Sequence, residues 1–249
     1  TDPFTISLWI KPQSPTLNGG EQVRHLTNRT LLGTSGGKNQ YWRGWELYLD
    51  LKGHLATRLI HNLPDNLIHV RSLEQITDDE WTHITFSYDG TGQATGVSLF
   101  LNGQSVPTEI VMNQLTRTIL PKDGKARDVR VARSYRGFTG DFGIYQGGMD
   151  DIRFYNSALT RMEIDQLYQS YHQLDTKSKI NKTTTVTSTS SDQFQHWLHR
   201  SRSDWQAALN EYRVFKKQRV ELFSQVPLVM VMKEMEKARE TYRLYRGEY

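Results

Sequence analysis

The chain has 249 residues, 37% of them hydrophobic and 18 of them Gly, enough for one large β domain and a smaller appendage. It contains no Cys, which excludes disulfides, thiolate metal sites, iron–sulfur clusters and covalently attached haem within these residues. The formal net charge of +4 is spread without a dense basic block, and no apolar run approaches the ~20 residues of a membrane span, so neither nucleic acid nor a membrane span is expected.

Thr1 to Ile10 already alternates like a strand, and the chain stops at Arg246–Tyr249 without a polar tail. The sequence is therefore expected to be a piece of a longer polypeptide, with any targeting signal outside it. Short alternating runs recur from Phe4 to Tyr155, the period-two pattern of sheets with one buried face. Phe4, Ile6, Leu8 and Ile10 share one face of the first predicted strand. Trp45, Leu47, Leu49 and Leu51 share a face of another, which turns at Lys52–Gly53 and returns through Leu55, Thr57 and Leu59. Ile84, Phe86 and Tyr88 mark the next, ended by Asp89–Gly90. Val97, Leu99 and Leu101 mark a further one, closed by Asn102–Gly103, a dipeptide suited to the positive φ values of a tight hairpin. Val129 and Val131 fit one more before the last strand, where Ile152 and Phe154 point one way and Asp151, Arg153 and Tyr155 the other.

Thr160 and Glu163 then form a capping box, with Leu159 and Ile164 at hydrophobic-staple spacing, so a helix is expected over Thr160–Tyr171. We place one β domain over residues 1–174. Residues 175–191 are rich in Thr, Ser and Lys and are expected to form a polar linker or mobile loop. An amphipathic helix follows over 192–225, its stripe running through Phe194, Trp197, Leu198, Trp205, Ala208, Leu209, Tyr212, Phe215 and Leu222. That stripe is expected to pack against the β domain. Residues 226–249 are expected to be a β segment opening a following domain.

Phe4–Pro12, Arg43–Leu49, Asp78–Gly92, Val97–Gln104 and Gly147–Leu159 together resemble the laminin-G-like, concanavalin A-like jelly-roll family. The resemblance implies a mainly β fold, a two-sheet antiparallel jelly-roll sandwich with a C-terminal helical extension and a short β segment. Val226–Tyr249 and His61–Ser72 also resemble planctomycete-type cytochrome c multidomain proteins, in which such a module lies beside a haem domain. This implies an exported parent, periplasmic or extracellular, with neighbouring domains of the same polypeptide as partners. Without Cys, no haem belongs to this fragment.

Relatives use such a sandwich to bind glycans, proteins or a structural calcium ion. Calcium takes 6–8 oxygen ligands, and the resemblance points to Asp150, with Asp2 beside the first strand as a further donor. Glycan contact calls for aromatic rings beside planar hydrogen-bonding groups. Two loops carry that mixture: Tyr41, Trp42 and Arg43 in one, and Tyr135, Arg136, Phe138 and Asp141 in the other. Docking against the helical extension or neighbouring domains competes for the same aromatics. Trp9, Trp45 and Trp81 lie on predicted strands and are expected in the core or between the sheets.

Hydrolysis of a glycoside needs two carboxylates flanking the bond. Asp150 and Asp151 are strand neighbours and should point to opposite faces, and the alternate-position carboxylates of hydrolases on this fold are not found. His61, His69 and His83 lack the spacing of a zinc site. The expected function is a non-catalytic binding or scaffolding module. The alternative is a carbohydrate-active enzyme domain, or an accessory domain of a haem-containing redox enzyme.

Overall fold

A computed structural model of the chain describes residues 2–14, 27–37, 41–121, 123–125, 127–136, 142–174 and 189–227. The alternating run Phe4–Pro12 (β1) buries Ile6, Leu8 and Ile10 completely. Thr82–Tyr88 (β6) pairs with it and buries Ile84 and Phe86 the same way. Val97–Leu101 (β7), Gln104–Ser105 (β8) and Gly147–Tyr155 (β12) complete a five-stranded sheet of order β12–β1–β6–β7–β8.

The second sheet is built from Asn28–Gly33 (β2), Gly44–Leu49 (β3), His54–Asn62 (β4), Asn66–Gln75 (β5), Thr108–Asn113 (β9) and Arg130–Val131 (β10). Its order is β10–β2–β3–β4–β5–β9, and Phe142–Ile144 (β11) pairs parallel to β2. Between the sheets Leu47, Leu49, Leu59, Ile68 and Val70 meet Ile6, Leu8, Ile84, Phe86 and Leu99 in one core. Phe4 closes one end, edge-on to Phe86 at 5.3 Å. The fold is the mainly β, antiparallel jelly-roll sandwich with a helical C-terminal region that the sequence implied.

Local chemistry explains where the strands stop. Asn102 and Gly103 take φ values of 50° and 77°, the conformation a two-residue hairpin needs. Asp50 Oδ1 accepts the backbone N–H groups of Lys52 and His54 at 2.8 and 2.9 Å, so the chain turns there. Leu51 consequently leaves β3 and is half exposed, against the expectation that it shares the Leu47 face. Phe154 stays on the inner face, 6.4 Å from the Trp45 ring, but sits on an edge strand and is more than half exposed.

The capping box forms as expected. Thr160 N–H donates to Glu163 Oε2 at 2.8 Å, and Arg161–Leu174 (α1) follows with Ile164 fully buried. This helix lies on the outer face of the five-stranded sheet, where Tyr168 packs 5.9 Å from Trp9. The amphipathic segment is two helices, Ser190–Ser201 (α2) and Ser203–Gln225 (α3), because Arg202 adopts an extended backbone between them. Residues 175–188 of the expected linker and 228–249 of the expected β segment lie outside the described residues.

The helices dock through polar groups. Arg200 holds Glu163 with two bonds of 2.6 and 2.8 Å, Arg161 pairs with Asp192 at 3.2 Å, and Arg213 donates to the Asp89 carbonyl. The aromatic stripe faces away: Trp197 and Trp205 are 43% and 41% exposed, and Phe215 is 60% exposed. This corrects the expectation that the stripe packs on the sandwich. Its polar face carries the complementary groups: α2 meets Glu163 and Arg161 of α1, and α3 meets the Asp89 carbonyl of the sandwich.

Glu163 gives this docking a pH dependence. Burial opposes its ionisation, but the bonds from Arg200 and Thr160 outweigh burial and hold the carboxyl below its ordinary 4.5. A depressed folded pKa means the link contributes above about pH 4.5 and is lost as the pH falls through the folded value. Since both partners are partly exposed, the link is worth about 0.5–1 kcal/mol. Protection factors of the α2 amides, taken relative to the intrinsic exchange rate at each pH, are expected to fall on acidification, and Arg200→Ala should show the lowered protection already at neutral pH. Equal protection in the variant and the parent would show that another contact holds α2.

Candidate functional site

Among the described residues, two clusters bear on the expected site residues. The first is at the tip of the β2–β3 hairpin, which continues past its strands through Thr34 N–H to Trp45 O at 2.9 Å and Gly36 N–H to Arg43 O at 2.7 Å. Tyr41 and Trp42 then occupy consecutive left-handed positions, with φ of 55° and 63°. Such positions favour Gly and Asn, and a side chain with Cβ there costs about 1–2 kcal/mol per residue. Tyr41 presents nearly half its surface to solvent.

Arg43 is anchored on β4. Its Nε donates to the His61 carbonyl at 3.2 Å and its Nη2 lies 3.1 Å from His61 Nε2. His61 Nδ1 sits 2.6 Å from the Thr118 carbonyl, so Nδ1 carries the proton and Nε2 accepts from Arg43. Burial, with Arg43 and Arg117 beside it, keeps His61 neutral by pulling its pKa down.

Beneath the hairpin tip lies a buried charge network. Glu46, completely buried on the outer face of β3, accepts from Ser35 Oγ at 2.5 Å and Ser134 Oγ at 3.3 Å, and pairs with Arg136 at 3.6 Å. The Arg136 guanidinium stacks 4.6 Å from the Phe142 ring and 5.6 Å from Trp42. The structure thus places Arg43 beside Tyr41 and Arg136 beside Trp42, with Tyr135 the chain neighbour of Arg136 and stacked on Arg130, while Phe138 and Asp141 lie outside the described residues. Two roles change. Arg136 is only 8% exposed, so it supports the loop from below and does not present its charge to a ligand. Tyr135 has one ring face covered by Arg130 at 3.4 Å.

The second cluster was not legible as a site. The β1–β12 register runs Ser7↔Arg153 and then Trp9↔Asp150, so Asp151 and Ile152 together oppose Leu8. This is a β-bulge, and Asp151 takes it up with φ of 47°. Ile152 still packs on the core, but Asp150 and Asp151 now line the same depression of about 220 Å³, with Trp9, Trp81 and Tyr171. The expectation of opposite faces is therefore wrong, because simple alternation assumes a strand without an inserted residue. Trp9 and Trp81 are likewise not core residues: Trp9 lies on the outer face under α1, and Trp81, just before β6, is nearly half exposed.

Asp151 is spoken for. Arg153 donates to its Oδ1 at 2.9 Å and reaches Oδ2 at 2.8 Å, which holds its pKa down. A carboxyl held ionised cannot serve as the general acid of glycoside cleavage. His83, buried below the aromatic rings and 2.8 Å from Ser7 Oγ, is kept neutral by burial, its pKa pulled down to about 4.

Calcium does not fit the residues that the resemblance nominated. Asp2 precedes β1 at the end paired with Tyr155, while Asp150 pairs with Trp9, seven residues along. At the strand rise of ~3.3 Å that separates them by roughly 23 Å. Around Asp150 the cavity wall is indole and phenol plus the Asp151 carboxylate, which Arg153 holds, well short of the 6–8 oxygens calcium needs. Among the described residues, no cluster of three or more His, Asp or Glu side chains is arranged to hold a metal ion.

The chain belongs to the concanavalin A-like lectin/glucanases superfamily, whose family model matches residues 1–165. No curated protein matches the sequence. Among solved structures, the CBM40 module of Ruminococcus gnavus IT-sialidase is 17% identical over 67% of this chain and 83% of that one, with a TM-score of 0.49. The heptameric SAP-like pentraxin of Limulus polyphemus is 17% identical over 67% and 70%, with a TM-score of 0.42. The receptor binding domain of botulinum neurotoxin D is 15% identical over 69% and 38%, with a TM-score of 0.44. None of these likenesses bears on what this chain binds. Among the described residues, no helix is long and apolar enough to cross a membrane.

Proposed function

We propose that this chain is a non-catalytic binding module of a larger exported protein, and that it contacts a glycan or a neighbouring domain through the rim around Tyr41, Trp42 and Arg43. The observation that carries this reading is the pair of aromatic residues held at consecutive left-handed positions. The strain is tolerated at the tip of a hairpin fastened by Arg43, His61 and the Glu46–Arg136 network, and backbone strain concentrates where geometry serves binding. An exposed phenol beside an anchored guanidinium suits the apolar face and hydroxyl groups of a sugar. Membership of a superfamily that includes lectins supports the glycan arm.

The resemblance of His61–Ser72 and Val226–Tyr249 to planctomycete-type cytochrome c proteins supports a setting beside a haem domain, outside the cytoplasm. The exposed aromatic stripe of α2 and α3 supports contact with neighbouring domains. A glycan array probed with the parent chain and with Tyr41→Ala tests the rim. The expected result is at least a tenfold loss of the strongest signal in the variant, the scale of an aromatic hot spot. Undiminished binding by both Tyr41→Ala and Trp42→Ala would place the contact elsewhere.

A further inference from the structure

We propose that the depression between Trp9, Trp81, Tyr171 and Asp150 is a second binding site, and that it takes an alkylammonium group. It lies on the outer face of the five-stranded sheet and owes nothing to the rim reading. Its walls come from β1, the segment before β6, β12 and α1, and each is fixed independently. Trp9 and Tyr171 stand perpendicular, 88° apart with centroids at 5.5 Å, forming two walls of a corner. Trp81 forms another side and lies directly over Gly148, where a Cβ would come within 2.7 Å of its Cη2. The segment before it is pinned by Arg29 to Asp78 at 2.8 Å and by Asp79 N–H to the Pro12 carbonyl at 2.6 Å.

Charge identifies the occupant. Asp151 is matched by Arg153, and Asp78 by Arg29. Asp79 takes Ser14 and the field of Lys11. Asp150, among the described residues, receives only the backbone N–H of Asp151, at 2.8 Å, and forms no ion pair. The depression thus offers the indole rings of Trp9 and Trp81 and one carboxylate without an ion pair among the described residues, and both attract a cation with an apolar body: the rings through their quadrupole, the carboxylate through its charge. A sugar would require donors as well as acceptors, and Arg153, the nearest guanidinium, is committed to Asp151 and to one side of the Tyr171 ring, 5.2 Å from its centroid, which leaves the two indoles as the walls open to a ligand cation. At about 220 Å³ the space is smaller than the ~300–1,000 Å³ that encloses a whole small molecule, so it suits one headgroup or side-chain end.

The indole N–H resonances of the six Trp residues report occupancy. The full chain would be titrated with tetramethylammonium chloride, with Nα-acetyl-lysine methylamide, with neutral neopentyl alcohol, and with sodium chloride and calcium chloride as ionic controls. Saturable shifts of the Trp9 and Trp81 signals are expected with an organic cation and not with the neutral isostere or the salts. Tighter binding of tetramethylammonium points to a methylated headgroup, and tighter binding of the lysine derivative to a peptide side chain. Asp150→Asn keeps the shape and removes the charge, and should weaken binding about tenfold with an unchanged melting temperature. Equal response to neopentyl alcohol, saturation by calcium, no saturable shift with either cation, or full affinity in Asp150→Asn would each overturn the proposal. Loss of rim binding in Tyr41→Ala should leave these titrations unchanged, so the two readings fail separately.

Discussion

Replacing Glu46 by Ala is expected to lower the stability of the chain by about 3–5 kcal/mol, the cost of breaking a buried ion pair by removing one side of it. Glu46 has no exposed surface, and the Arg136 side chain facing it is 10% exposed. Removing the carboxylate takes one charged partner from that guanidinium and the acceptor from two serine hydroxyls, those of Ser35 and Ser134, which now donate to it. The loss should appear as a lower denaturation midpoint with an unchanged denaturant slope. Glu46→Gln retains an acceptor for the serines and gives up the charge, so a smaller loss of about 1–3 kcal/mol is expected. Because Arg136 supports Trp42 from below, both variants should also blur the rim. Equal stability of Glu46→Ala and the parent would mean that the network is solvated and does not hold the hairpin in place.

Gly147→Ala is the second large effect, expected at about 2–4 kcal/mol from left-handed strain added to overpacking. Gly147 opens β12 with φ of 135°, and a Cβ there would overlap the Lys11 carbonyl oxygen and come within 2.9 Å of Gln13 N. Both contacts are backbone, so no side chain can swing aside. To relieve them β12 must shift along β1, carrying Asp150 away from Trp9. Gly37→Ala is the matched control, since a Cβ at Gly37 meets nothing within 4 Å. Thermal denaturation of the two variants separates them. A Gly147→Ala protein as stable as Gly37→Ala would show that the β1–β12 register is loose.

What could be read along the chain were the elements in which neighbouring residues decide the outcome. Period-two burial in Phe4–Ile10, Ile84–Tyr88 and Val97–Leu101 set strands with a defined inner face, because alternate side chains must leave a pleated sheet on opposite sides. Asn102–Gly103 set a hairpin, and Thr160 with Glu163 set the start of a helix, through bonds that span three residues or fewer. The aromatic loop residues Tyr41 and Trp42 were visible for the same reason: they interrupt the alternation.

The remaining features depend on contacts between distant segments. β11 was invisible because a three-residue strand, pairing parallel to a partner more than a hundred residues away, has no periodicity of its own. Glu46 is buried only because Ser134 and Arg136, distant in sequence, close over the outer face of β3. The stripe of α2 and α3 promised burial by its apolar content, but the ion pairs from Arg200 and Arg161 oriented those helices with the other face inward. The bulge at Asp151 reversed the side assigned to Asp150, since one inserted residue shifts all that precede it to the other face of the sheet. Local patterns record which residues prefer to be buried. Which distant groups meet them is settled by the packing of the two sheets and the helices laid on them.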